Sequence, residues 1–470
     1  MFLDRIISQI RVDLEQRKRG KPLEEQQRLA FAQSPPRDFL QSLKGEARVG
    51  LIAEVKRASP SKGKFEPEID PVELAQIYDA HGATAISVLT EPHFFLGSFE
   101  YLKAIKEAVR IPVLCKDFIV DEYQVYEARA WGADAILLIC AALDQAQLQR
   151  LLAVAHELNM HCLVEVHTLE ETQRAIAVDA KIIGVNSRDL QTFQIHPHLI
   201  RELRPLIPRD TVVVAESGIH TSADARRLAR YGVQAMLVGE SLVTSQNIPA
   251  QMGALLKGAN EDVQVKICGL RTADQLLSTR DAGADLIGLM FFEQSSRYIH
   301  PEAAKELLRT YEDGLVSPDI VGIFVNKEAA FINDVADNVG LNFVQLHGDE
   351  TAEACGSIRR PVIKALRLNG NTDEVLIKTY AQTTWRLLLD TPTVKWGGSG
   401  ETHDWVLART IAQQTPTFLA GGLTPENVVE AVRQVHPWGV DVSSGVETHG
   451  QKDINKIQTF IEQARRSSRE

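Results

Sequence analysis

The sequence lacks the features of secreted and membrane proteins. Its five cysteines are scattered, odd in number and without the paired spacing of a metal site, which fits a reducing compartment and predicts a cytoplasmic protein. The longest apolar run, 135–143, is about half the length that spans a bilayer, so we expect no membrane segment. The first ten residues include Asp4 and Arg5 and lack the apolar run of a signal peptide.

The chain also lacks an excess of positive charge. Its net charge of -11 argues against nonspecific binding to nucleic acid or to anionic membranes. With 44% hydrophobic and 24% charged residues, the composition is that of an ordinary globular protein. A chain of 470 residues exceeds the size at which one core keeps growing, so two domains are expected.

Short aliphatic or β-branched segments recur along the chain and alternate with helical patterns, which is typical of βα units around a parallel sheet. Eight strands are predicted in the first half, at 50–56, 85–89, 113–117, 135–139, 162–166, 182–185, 212–216 and 235–238. Eight more are predicted in the second half, at 263–268, 286–291, 320–325, 343–346, 362–365, 387–390, 417–420 and 440–443. The predicted fold class is therefore α/β, with two tandem (β/α)8 TIM barrels.

The break between the barrels is expected near 257–262, a short polar segment that contains glycine. We assign residues 1–256 to the first domain and 261–470 to the second. Residues 1–48 precede the first strand and read as a helical extension, which we interpret as a cap over the barrel, with a lid as the second possibility.

Polar residues at the carboxyl ends of barrel strands are candidates for catalysis. Glu54 and Lys56 are two residues apart, so they share one face of the first strand. Similar positions in this half hold Lys116 and Asp117, Glu165, Asn186 and Arg188, and Glu216 and Ser217. Any one of them alone also fits a structural ion pair. Together they favour general acid and base chemistry at one rim, because burial and neighbouring charges tune such groups toward neutral pKa values.

Glycine-containing loops follow the last two strands of each half, as in barrels that bind phosphate. In the first half these loops are 216–219 and 239–242, and in the second half they are 420–423 and 441–445. The second half also places Lys266 and Cys268 on one face of its first strand, where the lysine favours a thiolate able to accept a proton. His347 and Asp390 end two further strands, and the glycine-rich loop 396–400 is suited to wrapping a substrate.

The motifs of the first half resemble those of indole-3-glycerol phosphate synthase across residues 1 to about 256. They are Glu54-Val55-Lys56-Arg57-Ala58-Ser59-Pro60-Ser61-Lys62-Gly63, Cys115-Lys116-Asp117-Phe118, Asn186-Ser187-Arg188-Asp189-Leu190 and Glu216-Ser217-Gly218-Ile219. From about residue 261 the chain resembles phosphoribosylanthranilate isomerase, through Lys266-Ile267-Cys268-Gly269-Leu270, Gln345-Leu346-His347-Gly348-Asp349, Gly397-Gly398-Ser399-Gly400 and Ala420-Gly421-Gly422-Leu423.

The resemblance implies that the second barrel performs an Amadori rearrangement of N-(5-phosphoribosyl)anthranilate. Asp390 would protonate the ring oxygen and Cys268 would remove the C2′ proton. Substrate-binding positions would be Lys266, Arg297 and His347, and phosphate-binding positions Gly421, Gly422, Ser443 and Ser444. The chain departs from the family at Ser296, where proline is usual, and at 391–395.

For the first barrel, the resemblance implies ring closure of the isomerase product with loss of carbon dioxide and water. Lys116 and Lys56 are both candidates for the first proton donor, with Glu165 and Glu54 handling later protons. Substrate-binding positions would be Ser59, Asn186, Arg188, Glu216 and Ser217, and phosphate-binding positions Gly218, Gly239 and Ser241. No cofactor or metal is implied, and we expect a monomer acting on small phosphorylated anthranilates.

Two alternatives remain. A sugar isomerase of histidine biosynthesis would use paired aspartates, which Cys268 and Asp390 do not match. A phosphosugar-binding tandem barrel without catalysis would show gaps among the acid and base positions, and we find none.

Overall fold

The computed structural model describes residues 2–44, 48–59, 63–65, 69–260, 263–309, 318–368, 374–390 and 403–466. The chain divides into two compact units, Met1–Asn260 and Glu261–Glu470. Among the described residues, no helix is long and apolar enough to cross a membrane.

The first unit begins with three helices, α1 (Phe2–Gly20), α2 (Leu23–Phe31) and α3 (Phe39–Leu43). Its strands are β1 (Gly50–Val55), β2 (Ala58–Ser59), β3 (Gly63–Lys64), β4 (Ala85–Leu89), β5 (Val113–Lys116), β6 (Ala135–Ile139), β7 (His161–Val166), β8 (Ile182–Asn186), β9 (Val212–Glu216) and β10 (Ala235–Val238). Strand β1 pairs in parallel with both β4 and β10, which closes an eight-stranded barrel, while β2 and β3 form a separate antiparallel pair.

Helices cover the outside of this barrel: α4 (Pro71–Ala80), α5 (Phe99–Ala108), α6 (Glu122–Ala130), α7 (Gln145–Glu157), α8 (Leu169–Ala177), α9 (Leu199–Leu203), α10 (Ser222–Arg230), α11 (Glu240–Val243) and α12 (Ile248–Asn260). Several begin at a side chain that accepts backbone N–H groups of the first turn, namely Asp70, Ser98, Asp121, Asp144, Thr168 and Thr221. Such caps fix where each helix starts and therefore how its preceding loop leaves the strand.

The N-terminal helices pack against the flank of α6 and reach the loops above it. Arg17 binds Glu127 at 2.6 Å and Lys18 binds Asp121 at 2.8 Å. At the start of α1, the Phe2 ring lies 5.0 Å from that of Phe193, in the loop after β8. The first helix of the extension therefore touches a loop at the carboxyl ends of the strands.

The second unit repeats the barrel with β11 (Gln264–Cys268), β12 (Leu286–Met290), β13 (Asp319–Phe324), β14 (Phe343–Leu346), β15 (Val362–Arg367), β16 (Arg386–Asp390), β17 (Thr417–Ala420) and β18 (Gly439–Val442). These eight strands are parallel and closed, and the hairpin of β19 (Glu447–Thr448) and β20 (Gln451–Lys452) follows them. Its helices are α13 (Ala273–Asp281), α14 (Pro301–Arg309), α15 (Ala329–Val339), α16 (Ala352–Gly356), α17 (Glu374–Thr383), α18 (His403–Gln414), α19 (Val428–Val435) and α20 (Ile454–Arg466). The predicted fold, two tandem eight-stranded barrels, is confirmed.

Barrel strands are buried on both faces, since side chains fill the interior and helices cover the outside. All residues of β1, β4 and β6 are buried accordingly. Charged side chains interrupt this apolar interior near the carboxyl ends of the strands, where Glu54, Glu165, Glu216 and Lys266 are between 0% and 5% exposed. Burying a charge is costly unless it is paired. Packing alone therefore does not explain why charged residues occupy these positions.

Candidate active sites

A cavity opens at the carboxyl ends of the strands of the first barrel. It encloses about 1020 Å³ of space, open solvent included. Its lining includes the predicted site residues Glu54, Lys56, Lys116, Glu165, Asn186, Arg188, Glu216, Ser217, Gly218, Gly239 and Ser241. The side chain of Ser59 lies outside the described residues.

Lys116, the last residue of β5, is the central cation of this cavity. Its Nζ lies 2.6 Å from Glu216 Oε2 and 3.4 Å from Glu165 Oε2. Burial alone would lower the pKa of Lys116, but the negative charges of Glu216, Glu165 and Glu54 raise it above its ordinary value. The ammonium is therefore charged at neutral pH, and the two carboxylates that hold it lie on strands far from it in sequence.

Glu165 and Glu216 form a pair of buried carboxyl groups with different proton affinities. Burial raises the pKa of Glu216 to about 7, and the neighbouring Glu165 contributes to the rise. Burial would also raise the pKa of Glu165, but the charges of Lys116 and His167 lower it below its ordinary value. Glu216 therefore holds a proton more readily than Glu165, which separates a group suited to act as an acid from one suited to act as a base.

Glu54 and Lys56 form a second ion pair at the same rim, with Nζ 2.8 Å from Oε1. Burial would raise the pKa of Glu54, but Lys56 and Lys116 lower it. Glycine at position 239 makes room for this carboxylate, because a Cβ there would lie 2.5 Å from Glu54 Oε1.

His167 is a member of the network that the sequence interpretation missed. It follows β7 two residues after Glu165, and its Nε2 lies 3.4 Å from Glu165 Oε1. Its Nδ1 lies 3.3 Å from Glu171 Oε2, an oxygen that also accepts the backbone N–H of His167 at 2.8 Å. Burial would lower the pKa of His167, but the carboxylates of Glu171, Glu165 and Glu216 raise it. The spacing of two residues from Glu165 on one strand face was the available signal.

The remaining predicted residues of this barrel lie at the end of β8 and in the loops around the cavity. Asn186 Oδ1 accepts the backbone N–H of Arg188 at 3.0 Å, and Arg188 Nη2 lies 3.6 Å from Glu240 Oε2. Ser217 and Gly218 both adopt left-handed backbone conformations, with φ of 66° and 70°, which turns the chain sharply after β9. Ser241 Oγ donates to the carbonyl of Ile219 at 2.8 Å and so joins the two predicted phosphate loops.

In the second barrel, Lys266 and Cys268 share one face of β11 at its carboxyl end. Lys266 is fully buried, and its Nζ lies 3.0 Å from Asp441 Oδ1 on β18. Burial raises the pKa of the Cys268 thiol above its ordinary value, and Lys266 offsets only part of that shift. Lys266 favours the thiolate, as expected, while burial of Cys268 opposes it.

His347 and Asp390 meet at the same rim, at the ends of β14 and β16. His347 Nε2 lies 3.4 Å from Asp390 Oδ2, and its Nδ1 lies 3.0 Å from Gln345 Nε2. The His347 ring therefore lies within hydrogen-bonding distance of both Gln345 and Asp390. The predicted loops 391–395 and 396–400 lie outside the described residues.

The predicted phosphate loops of the second barrel follow β17 and β18, and the second of them contacts the end of β11. Gly421 and Gly422 have φ of 87° and 64°, a left-handed conformation that glycine adopts without strain. Ser443 Oγ donates to the carbonyl of Cys268 at 3.2 Å, and Ser444 begins a short 3₁₀ turn. Arg297, from the loop after β12, is bound by Glu447 at 2.7 Å through both carboxylate oxygens.

Comparison with known proteins agrees with this division of the chain. The profile of the family indole-3-glycerol phosphate synthase matches residues 3–255, and that of N-(5'phosphoribosyl)anthranilate (PRA) isomerase matches residues 265–463. Within the described residues, no group of three His, Cys, Asp or Glu side chains is arranged to hold a metal ion.

Three relatives illustrate the extent of the similarity. The tryptophan biosynthesis protein TrpCF of Vibrio cholerae is 37% identical over 91% of this chain and 89% of its own length. The multifunctional tryptophan biosynthesis protein of Phycomyces blakesleeanus is 38% identical over 92% of this chain, which spans only 64% of that longer protein. The indole-3-glycerol phosphate synthase of Dehalococcoides mccartyi is 53% identical over 54% of this chain and 100% of its own length.

Proposed function

Since the chain belongs to the family of tryptophan-biosynthesis enzymes that join an indole-3-glycerol phosphate synthase to a phosphoribosylanthranilate isomerase, we propose how its residues divide the two reactions. The chain is a bifunctional enzyme with a lyase activity and an isomerase activity. We assign the lyase to residues 1–256 and the isomerase to residues 261–470.

In the second barrel, Asp390 protonates the ring oxygen of N-(5-phosphoribosyl)anthranilate and opens the ribose ring to an imine. Cys268 then accepts the C2′ proton, which gives the enolamine that tautomerises to 1-(2-carboxyphenylamino)-1-deoxyribulose 5-phosphate. The hydrogen bond between His347 and Asp390 supports the acid role, because it holds the carboxyl group at the rim. Lys266 stabilises the thiolate form of Cys268, which is the form that accepts the proton.

In the first barrel, a lysine protonates the carbonyl oxygen of that product while the anthranilate ring attacks the carbonyl carbon. Loss of carbon dioxide restores the aromatic ring, and loss of water gives indole-3-glycerol phosphate. Lys116 and Lys56 both remain candidates for the first donor, since each is paired with a buried carboxylate. Glu165 and Glu54 move protons during closure and dehydration. The negative charge of Glu216 keeps Lys116 in its charged form. Both reactions need only proton transfers, so we propose no cofactor.

The observation that carries this proposal is the position of Lys116 between Glu165 and Glu216 in the cavity of the first barrel. Lys116→Ala removes the central cation, and Asp390→Asn removes the acid of the second barrel. We expect Lys116→Ala to abolish indole formation and spare isomerisation, and Asp390→Asn to do the reverse. Loss of both activities in either folded variant contradicts the division. Absence of turnover in the unaltered protein favours a phosphosugar-binding protein instead.

The cellular setting is a further part of the proposal. All five cysteines are free and buried, which supports a reducing compartment such as the cytoplasm. We also propose that the chain acts as a monomer on small phosphorylated anthranilates, because each predicted site draws its residues from one barrel.

A further inference from the structure

Two buried charges of the second barrel have no role in the proposed chemistry. Glu447 on β19 and Lys452 on β20 face each other directly across the hairpin that follows the last barrel strand. Their side chains are only 9% and 2% exposed. The connecting residues His449 and Gly450 both have positive φ, 52° and 76°, as in the tight turns that join twisted strands. The hairpin is therefore two short strands joined by a tight turn, and the ion pair of Glu447 and Lys452 on it is buried.

Glu447 holds the side chain of Arg297. Its Oε1 accepts from Nε and its Oε2 from Nη2, each at 2.7 Å. A guanidinium has five N–H donors in a fixed plane, and this geometry uses only one edge. The edge formed by Nη1 and the second N–H of Nη2 can therefore face another carboxylate. Gly269, directly after Cys268, leaves room for the side chain of Arg297, because a Cβ at Gly269 would lie 2.6 Å from Arg297 Cδ.

Lys452 connects the same carboxylate to a phosphate loop. Its Nζ lies 2.8 Å from Glu447 Oε1 and donates to the carbonyl oxygen of Ser443 at 2.8 Å. Ser443 in turn donates its hydroxyl to the carbonyl of Cys268. The bonds thus run without interruption from Arg297 through the hairpin to the phosphate loop and the strand that carries Cys268.

We propose that Glu447 and Lys452 are positioning residues that hold Arg297 at a set distance from the phosphate loop, so that the second barrel selects substrates with a carboxylate and a phosphate at that separation. This inference rests on the proposed isomerase function. Glu447 acts through Arg297 and touches no substrate. The hairpin works as a spacer between the two anion-binding ends of the site.

The test uses the full chain and compares Glu447→Ala with Glu462→Ala, an exposed glutamate on α20. Because a bidentate pair with charge assistance is lost, we expect the KM for phosphoribosylanthranilate to rise about tenfold or more in Glu447→Ala. The isomerase kcat should change by less than about threefold, since the acid and base remain. Glu447→Asp keeps a carboxylate and should recover part of the affinity.

A double variant separates positioning from general damage. If Glu447 acts through Arg297, Arg297→Met with Glu447→Ala should bind no more weakly than Arg297→Met alone. Lys452→Met should raise the KM and weaken inhibition by inorganic phosphate, because it loosens the Ser443 loop. Indole formation from the isomerase product reports on the first barrel of each variant and should be unchanged.

Three results would overturn the inference: an unchanged KM in Glu447→Ala, a fall in kcat alone, or full additivity in the double variant. If Glu447→Ala does not fold in the second barrel, Glu447→Gln and Lys452→Met decide the matter by the same KM criterion. Absence of isomerase activity in the unaltered chain would instead reject the proposed function on which the inference rests.

Discussion

The substitution Lys116→Met removes the ammonium that contacts both Glu165 and Glu216. Methionine keeps the length of the side chain, so the change is mainly one of charge. Breaking a buried ion pair by removing one partner costs about 3–5 kcal/mol, because a buried charge is left uncompensated. For a barrel of this size, about 4 kcal/mol corresponds to a fall in Tm of about 10 °C.

The loss of stability in Lys116→Met should depend on pH. Without the ammonium, the folded-state pKa of both carboxyl groups rises above the ordinary value of 4.5. An acid whose pKa is raised on folding destabilises the protein as pH rises from its unfolded pKa to its folded pKa. The variant should therefore lose little stability at pH 5, where both groups bind protons, and most at pH 8.

Calorimetric unfolding at pH 5 and pH 8 measures this effect, with isomerase activity as the readout that the second barrel stays folded. Lys103→Met, on the exposed face of α5, is the matched control and should change neither Tm nor activity. Indole formation should fall by at least about 10²-fold in Lys116→Met, the contribution expected from a general acid. Equal Tm losses at both pH values, or indole formation within tenfold of the unaltered chain, would refute the reasoning.

Three further predictions concern single positions. His167→Gln should move the acidic limb of the pH profile of indole formation to higher pH, because Glu165 loses a neighbouring charge that lowers its pKa. His156→Gln is the control, and an unmoved limb in His167→Gln would show that His167 does not set the pKa of Glu165. Gly184→Ala should reduce indole formation and cost about 1–3 kcal/mol of stability, since a Cβ there would overlap Glu216; normal activity in that variant would show that the carboxyl group has room to move. Cys268→Ser should lower the isomerase kcat at unchanged KM, because a hydroxyl is a far weaker base than a thiolate, and equal kcat values would remove Cys268 from the base role.

The barrel strands were predictable from the sequence because each is buried on both faces and reads as an apolar run. The charged residues near the strand ends were also predictable, because Glu54 and Glu216 are charged residues in otherwise apolar segments. The partner of Glu216 was not predictable. Lys116 and Glu216 are 100 residues apart, and only closure of the barrel brings β5 and β9 to one cavity.

Two features of the candidate sites exceeded what the sequence could indicate. The proton affinity of Cys268 depends on its burial as well as on Lys266, and the extent of that burial was not evident from the sequence pattern. The hairpin of Glu447 and Lys452 is only two residues long on each side, too short for a period of two to be recognised. His167, by contrast, could have been identified from the sequence, because it lies two residues after Glu165.

The central claim is that each barrel holds a complete set of proton donors and acceptors of its own. Mixing Lys116→Ala with Asp390→Asn tests it, because each variant keeps one intact barrel and the intermediate can diffuse between molecules. With phosphoribosylanthranilate as the only substrate, neither variant alone should produce indole fluorescence, and an equimolar mixture should restore it. A mixture that stays dark, while each variant retains its own single activity, would contradict the account.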